Sequence, residues 1–202
     1  MTQTVKLDRK TPRAGRMKPK DRAQQLLMTA LSLFAERGFS AKHTDIAERA
    51  KVSVPTTFVY FETRAALVDA VLKEVSRFIT DELIAKPSNQ SSGNEILDCS
   101  AALIEAATSH PDHIKVWLMW SVLFEPELHQ RYQKFENQIL DAIVPSASDN
   151  TGNQEPPNEL ERTQARLVLG SGLMLARMAL SGEEAVNQEA FIKLVMQSVK
   201  AS

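Results

Sequence analysis

The sequence predicts an all-α protein: a three-helix head that contains a helix-turn-helix, joined to a larger helical body, about nine helices in total. Three observations lead there. Apolar residues recur at helical spacing, most clearly Ala23, Leu26, Leu27, Ala30, Leu31 and Phe34. Residues 45–64 read as a short helix, a tight turn, a second short helix and the start of a third. Charge is divided: residues 1–64 hold 13 Lys/Arg against 6 Asp/Glu, and residues 65–202 hold 11 against 19, on a chain of net charge −1. That asymmetry places a polyanionic partner at the N-terminal end and leaves an acidic body.

Residues 1–19 show no hydrophobic period, carry Pro12, Gly15 and Pro19, and read as a disordered basic arm. The head spans 20–66 and the body 67–202. The first helix runs from about Lys20 to Arg37 and stops at Gly38. Ser40-Ala-Lys-His43 leads into the second, whose Ile46, Ala47 and Ala50 form one apolar face. His43, near that helix's start, suits a phosphate contact or packing. Lys51-Val-Ser53 turns the chain. Ser53 can accept from free N–H groups of the next helix, and Pro55 suits its first turn. Phe58 and Phe61 are expected inward, leaving Thr56, Thr57, Val59 and Tyr60 outward. A helix this short is held by its neighbours and presents small polar and methyl-bearing residues, as a major-groove reader must.

These residues resemble the helix-turn-helix of TetR-family transcriptional regulators, with Tyr60-Phe-Glu-Thr-Arg-Ala-Ala-Leu67 as the aromatic run that follows it. Within the family the chain is most similar to the LuxR/HapR/SmcR branch of quorum-sensing master regulators. The shared pieces are His43-x-Asp-Ile-Ala-Glu48, Val52-Ser-Val54, Phe58-x-Tyr-Phe-x-Thr-Arg64, Leu67-Val-Asp69 and Lys115-Val-Trp-x-x-Trp-Ser121. The resemblance implies double-stranded DNA as partner. Its contacts would be Arg13 and Arg16 from the arm in the minor groove, with His43, Lys51, Ser53, Pro55, Thr56, Thr57, Val59, Tyr60 and Arg64 from the head. Thr56 and Thr57 would read base edges or thymine methyls. Val59 would make apolar contact where the branch usually has a polar residue. Tyr60, Lys51 and Arg64 would hold phosphate, Arg64 standing at a helix N-terminus after the cap Thr63.

The fourth helix continues through Leu67, Val71, Leu72, Val75, Phe78, Ile79 and Leu83 into the body. Residues 86–93 are a loop. A fifth helix covers about 94–109, and a sixth, started by Pro111, is apolar nearly all round (Ile114, Val116, Trp117, Leu118, Trp120, Val122, Leu123). Glu125-Pro126 breaks it, and a seventh runs to about Val144. Residues 145–158 read as a long polar loop. The eighth, about 159–180, is interrupted by Gly170 and Gly172, which permit close approach of another helix or a ligand. The ninth covers about 188–200. In the resembling family the last two helices pair with those of a second subunit, so a homodimer on a pseudo-palindromic site is implied.

The body's own candidate is a pocket for a small apolar ligand, lined by Phe78, Ile79, Leu83, Trp120, Phe124, Gln138, Met174 and Met178. Ile79, Trp120 and Gln138 fall where the branch has pocket residues, and Gln138 would orient the ligand; plain core packing is the alternative for each. No Gly-rich phosphate loop, Gly-x-Ser-x-Gly elbow, His-Glu-x-x-His or paired cysteines occur, so no catalytic residues, metal or cofactor are expected. His110 and His113 flank Asp112, but Pro111 places them at a helix start. Cys99 alone allows no internal disulfide and fits a reducing cytoplasm. No run of about 18 apolar residues offers a membrane span. The expected setting is the bacterial cytoplasm, at the nucleoid when DNA-bound. Three functions remain open: a quorum-sensing-type global regulator that activates or represses, a local repressor released by a metabolite or xenobiotic, and a helical ligand-binding or enzymatic protein with a vestigial head.

Overall fold

The computed structural model describes residues 17–81, 95–143 and 158–200. Among these there are nine α-helices, one 3-10 turn and no strand. The helices are α1 (Pro19–Arg37), α2 (His43–Ala50), α3 (Val54–Tyr60), α4 (Arg64–Ile79), α5 (Glu95–Ser109), α6 (Pro111–Ser121), α7 (Pro126–Ile143), α8 (Glu159–Leu180) and α9 (Ala185–Lys200), with the 3-10 turn at Gly38–Ser40. The arm residues Arg13 and Arg16, the pocket residue Leu83 and most of both expected loops lie outside the described residues.

Local signals set the head's boundaries. Gly38 ends α1 at φ 66°, a conformation open to glycine. The Asp45 carboxylate accepts from the Lys42 N–H at 2.6 Å and ties down the start of α2. Lys51 closes α2 in the left-handed region at φ 54°. Ser53 caps α3 by accepting from the Thr56 N–H at 3.3 Å, and Thr63 caps α4 by accepting from the Ala66 N–H at 3.0 Å. A capping box opens α8. The Asn158 side chain accepts from Glu161 N–H at 3.0 Å, and the Glu161 carboxylate accepts from Asn158 N–H at 2.8 Å.

Several boundaries differ from the sequence reading. Pro19 is the first residue of α1 rather than the last of the arm. Regular α4 ends at Ile79, where the sequence suggested continuation to Leu83. The sixth helix ends at Ser121, so Val122 lies outside it and exposed. Pro126 starts α7, where its missing N–H costs nothing.

One apolar core runs from head to body. Leu26, Leu31 and Phe34 of α1 meet Ile46 of α2, then Leu67, Val71, Leu72, Val75 and Ile79 of α4. It continues through Ile114, Trp117 and Trp120 of α6 to Leu140 of α7 and Leu175 of α8. Both α1 and α4 pack on α6, so the head is not hung on a single linker. Charges brace the surface: the Arg49 guanidinium donates to both carboxylate oxygens of Glu36 at 2.6 and 2.8 Å, pinning α2 to α1.

Candidate nucleic-acid interface

The face that could meet a nucleic acid is built around α3. It is only seven residues long, so its position depends on packing against α2. The structure corrects which residues do that packing. Thr57, expected outward, is 0% exposed, and Phe58, expected inward, is 44% exposed. The Thr57 hydroxyl donates to the Val54 carbonyl at 2.7 Å. With its polar atom satisfied inside its own helix, Thr57 behaves as a methyl group and turns into the core with Phe61. Phe58 is carried to the flank, where its ring stacks on His43 with centroids 4.2 Å apart and planes 4° from parallel.

His43 is buried and its Nε2 lies 2.7 Å from the Phe61 carbonyl oxygen. A carbonyl only accepts, so this nitrogen carries the proton. Of its two expected roles, packing is the one this geometry serves: His43 holds the ends of α2 and α3 together and backs the Phe58 ring.

The outer face of α3 then consists of Pro55, Phe58 and Val59, with Thr56 and Tyr60 half-buried at its edge. Val59 is 77% exposed. Ser53 and Thr56 hydroxyls lie 2.7 Å apart and share one hydrogen bond within the cap. Lys51, in the turn before α3, is exposed.

Beside α3 is a cleft of about 470 Å³ lined by Met17, Lys18, Pro19, Arg22, Thr56 and Tyr60. It joins the start of α1 to the edge of α3 and carries two cations. Arg22 is not among the contacts expected from sequence. Its signal was the four-residue spacing from Lys18, which sets both on one side of the helix start. Lys18 and Arg22 give this end of the head a positive edge of the kind that phosphate oxygens pair with.

Arg64 does something other than what its place at a helix N-terminus suggested. Its guanidinium turns inward, donates through Nη2 to the Phe39 carbonyl and lies over the Phe34 ring, 5.4 Å from the centroid. Its Nη1 is buried without a hydrogen-bond partner among the described residues. Burial lowers the guanidinium from its ordinary value, opposed by Asp45, yet the group stays charged at any working pH. Arg64 therefore staples the 3-10 turn to α4, and the phosphate role first assigned to it does not fit this geometry. Arg64→Ala is expected to lower stability by about 1–3 kcal/mol, the range for losing a charged hydrogen bond. The salt slope of duplex binding should stay unchanged, whereas loss of a phosphate contact would reduce it by about one unit. Chemical unfolding and a salt titration on one preparation separate the two roles.

In the body the structure does not bring the expected pocket residues together. Phe78, Ile79, Trp120 and Met178 are buried, whereas Phe124, Gln138 and Met174 are exposed. The inward stripe of α7 is Leu128, Tyr132, Phe135, Ile139 and Leu140, and Gln138 falls just off it. Phe124 stands in the turn after α6, 81% exposed. Trp120 lies parallel to Phe135 with centroids 5.5 Å apart, meets Tyr132 edge-on at the same distance, and donates its indole N–H to the Leu128 carbonyl at 3.0 Å. Burial pushes the Tyr132 phenol up to about 12, so this aromatic cluster stays uncharged.

A polar cluster joins α4 to α6. Phe78 stacks on His113 at 4.3 Å, and His113 Nε2 is 3.6 Å from Glu74 Oε1, which also accepts from Arg77 at 2.7 Å. Burial lowers His113 from its ordinary value, against the opposing pull of Glu74. For Glu74, burial pushes up, but Arg77 and His113 together hold it below the usual carboxylate range. No group of three or more His, Cys, Asp or Glu among the described residues is arranged to hold a metal ion. No described helix is long and apolar enough to cross a membrane.

Comparison with known proteins agrees with the head's geometry. Residues 26–71 match the family described as bacterial regulatory proteins, tetR family. Over 124 residues the chain is 40% identical to the HTH-type transcriptional regulator LuxR of Vibrio harveyi, an alignment covering 59% of this chain and 58% of that relative. A TetR-like transcriptional regulator from a Rhodococcus species superposes with a TM-score of 0.72 at 18% identity, covering 93% of this chain and 100% of its own. A tetR-family regulator from Streptomyces coelicolor gives 0.66 at 20% identity, covering 92% and 82% respectively. At such identities the two solved structures speak for the all-α fold across head and body.

Proposed function

We propose that the whole chain is a sequence-specific DNA-binding transcriptional regulator, a reading supported by the match of residues 26–71 to the family described as bacterial regulatory proteins, tetR family. In this reading it binds a pseudo-palindromic operator as a homodimer and acts as a quorum-sensing-type global regulator able to activate or repress. The observation that carries the DNA-binding part is α3: a capped, seven-residue helix with Pro55, Phe58 and Val59 bare on its outer side, next to a cleft bearing Lys18 and Arg22. The quorum-sensing part is supported by the 40% identity to the transcriptional regulator LuxR, over little more than half of each chain.

A second copy has a face to occupy. Leu160, Leu167 and Met174 repeat every seven residues along α8 and are all exposed. Gly170 stands between them, with nothing within 4 Å of where a Cβ would project. A helix of a second subunit could approach closely there, and Val186 and Leu194 of α9 are exposed apolar residues as well. An isologous pairing on this face would match the two-fold symmetry of a palindrome.

Control of the heads would pass through α4, which starts in the head at Arg64 and ends against α6 at Phe78 and Ile79. A ligand that favours one tilt of α4 would alter the spacing of the two heads, by no more than its differential affinity for the two states.

The test is selection of duplexes from a random pool with the full-length protein at about 150 mM salt, which suppresses non-specific phosphate binding. Enrichment of a pseudo-palindrome with half-sites about one helical turn apart is expected. No enrichment of any sequence would sink the regulator reading. Occupancy of many chromosomal sites supports global control, and a single neighbouring operator supports the local repressor instead.

A further inference from the structure

We propose that α3 reads its half-site through methyl groups. On this view Val59, flanked by Pro55 and Phe58, docks on the C5-methyl of a pyrimidine in the major groove and makes no hydrogen bond to a base edge. The proposal rests on the DNA-binding reading above and specifies the chemistry of the site being read.

Residues 54–60 are Val, Pro, Thr, Thr, Phe, Val and Tyr, with no amide, guanidinium, ammonium or carboxylate among them. The pairings that distinguish guanine, adenine and cytosine in the major groove need such groups. Hydroxyls are the only polar side-chain atoms α3 has. That of Thr57 is spent on the Val54 carbonyl, and the residue is wholly buried. That of Thr56 is paired with Ser53 at 2.7 Å, in the cap that starts the helix. Tyr60 is half-buried against the cleft that holds Lys18 and Arg22, a setting for a phosphate. The exposed side chains of α3, Pro55, Phe58 and Val59, offer only carbon.

The apolar face is also rigid. The Phe58 ring lies flat on His43, and His43 is itself held by its bond to the Phe61 carbonyl. The ring therefore cannot fold into the core and leave Val59 isolated. A fixed apolar face set against the polar edge of guanine, adenine or cytosine would strip water from donors and acceptors and return no partner. Set against the C5-methyl of thymine, the one apolar mark in the groove, it loses nothing. A 5-methylcytosine carries the same mark, so the chemistry recognised is the C5-methyl pyrimidine and not thymine as such.

The experiment uses the full-length protein and the operator recovered by selection. Each thymine of one half-site is replaced in turn by deoxyuridine, which removes only the methyl, and Kd is measured at fixed salt. One or two positions per half-site should weaken about 4-fold, the affinity equivalent of burying one methyl at ~0.8 kcal/mol with 1.4 kcal/mol per tenfold. At those positions a 5-methylcytosine·guanine pair should bind about 4-fold tighter than an unmethylated cytosine·guanine pair. Val59→Ala, at an exposed position where alanine favours the helix, should abolish the uracil penalty at one of these positions and leave other positions unaffected. Equal affinity for thymine and uracil at every half-site position would overturn the proposal while leaving specific DNA binding intact. A uracil penalty unchanged by Val59→Ala would overturn the role of this face. Failure to bind any selected duplex would instead overturn the regulator reading, and this inference with it.

Discussion

Leu167→Glu is expected to give a folded monomer whose operator affinity falls by about 100-fold or more. Leu167 is 45% exposed in a single chain, so a carboxylate there meets water and leaves the monomer's core untouched. On a two-fold face the same carboxylate appears twice across one axis. Each copy must then be buried unpaired or hold the subunits apart, and breaking a buried contact with an uncompensated charge costs about 3–5 kcal/mol. The loss in DNA binding is larger than the loss of one contact. A dimer binds its second half-site as an intramolecular event, an advantage of about 10²–10⁴-fold that a monomer lacks. Sedimentation velocity, helical content by circular dichroism and operator titration decide the matter together. A variant that remains dimeric would remove α8 from the proposed interface. A monomer that still binds tightly would remove dimerisation from the mechanism.

The parts of this protein that could be read in sequence are those fixed by neighbours a few residues apart. Ser53, Pro55 and Thr63 mark the starts of α3 and α4 through atoms within one turn, and Gly38 stops α1 by its own backbone freedom. The all-α class followed from apolar spacing, and the likeness of residues 26–71 to the tetR family from short motifs in and around the head. The face of α3 was not legible, because seven residues hold two competing inward stripes. Hydrophobicity alone favours Phe58 over Thr57. The deciding bond, from the Thr57 hydroxyl to the Val54 carbonyl, makes threonine the better-buried residue. Arg64 misled for a different reason. A cation at a helix N-terminus looks like a phosphate clamp, but its partner, the Phe39 carbonyl, is 25 residues away in the chain and known only from the fold. The pocket set failed in part for the same cause. Gln138 falls where the resembling branch has a pocket residue and Phe124 follows the apolar run of the sixth helix, but a rotation of one residue along α7, or an earlier end to α6, sends such side chains to water.

Trp120 puts the core and pocket readings of the body in direct competition. Buried against Phe135 and Tyr132 with its indole N–H on the Leu128 carbonyl, it joins the end of α6 to α7. Trp120→Ala removes a large aromatic group from packing that cannot fully collapse, at a cost of about 3–5 kcal/mol. For a chain of this length that corresponds to a fall in Tm of roughly 6–20 °C, measured at fixed protein concentration because the proposed dimer would contribute to apparent stability. Trp120→Phe keeps a ring against Phe135 and loses the N–H bond, so its cost should be well below that of alanine. Well below the lowered transition, the alanine variant should bind operator as the parent does, since the rings that Trp120 meets, Phe135 and Tyr132, belong to α7 and not to α3. A side chain that lined an open ligand pocket would behave in the opposite way. Its removal would cost under about 1 kcal/mol, because a wall residue facing a cavity leaves few packing contacts to lose. That small loss would return Trp120 to the pocket first read from the sequence.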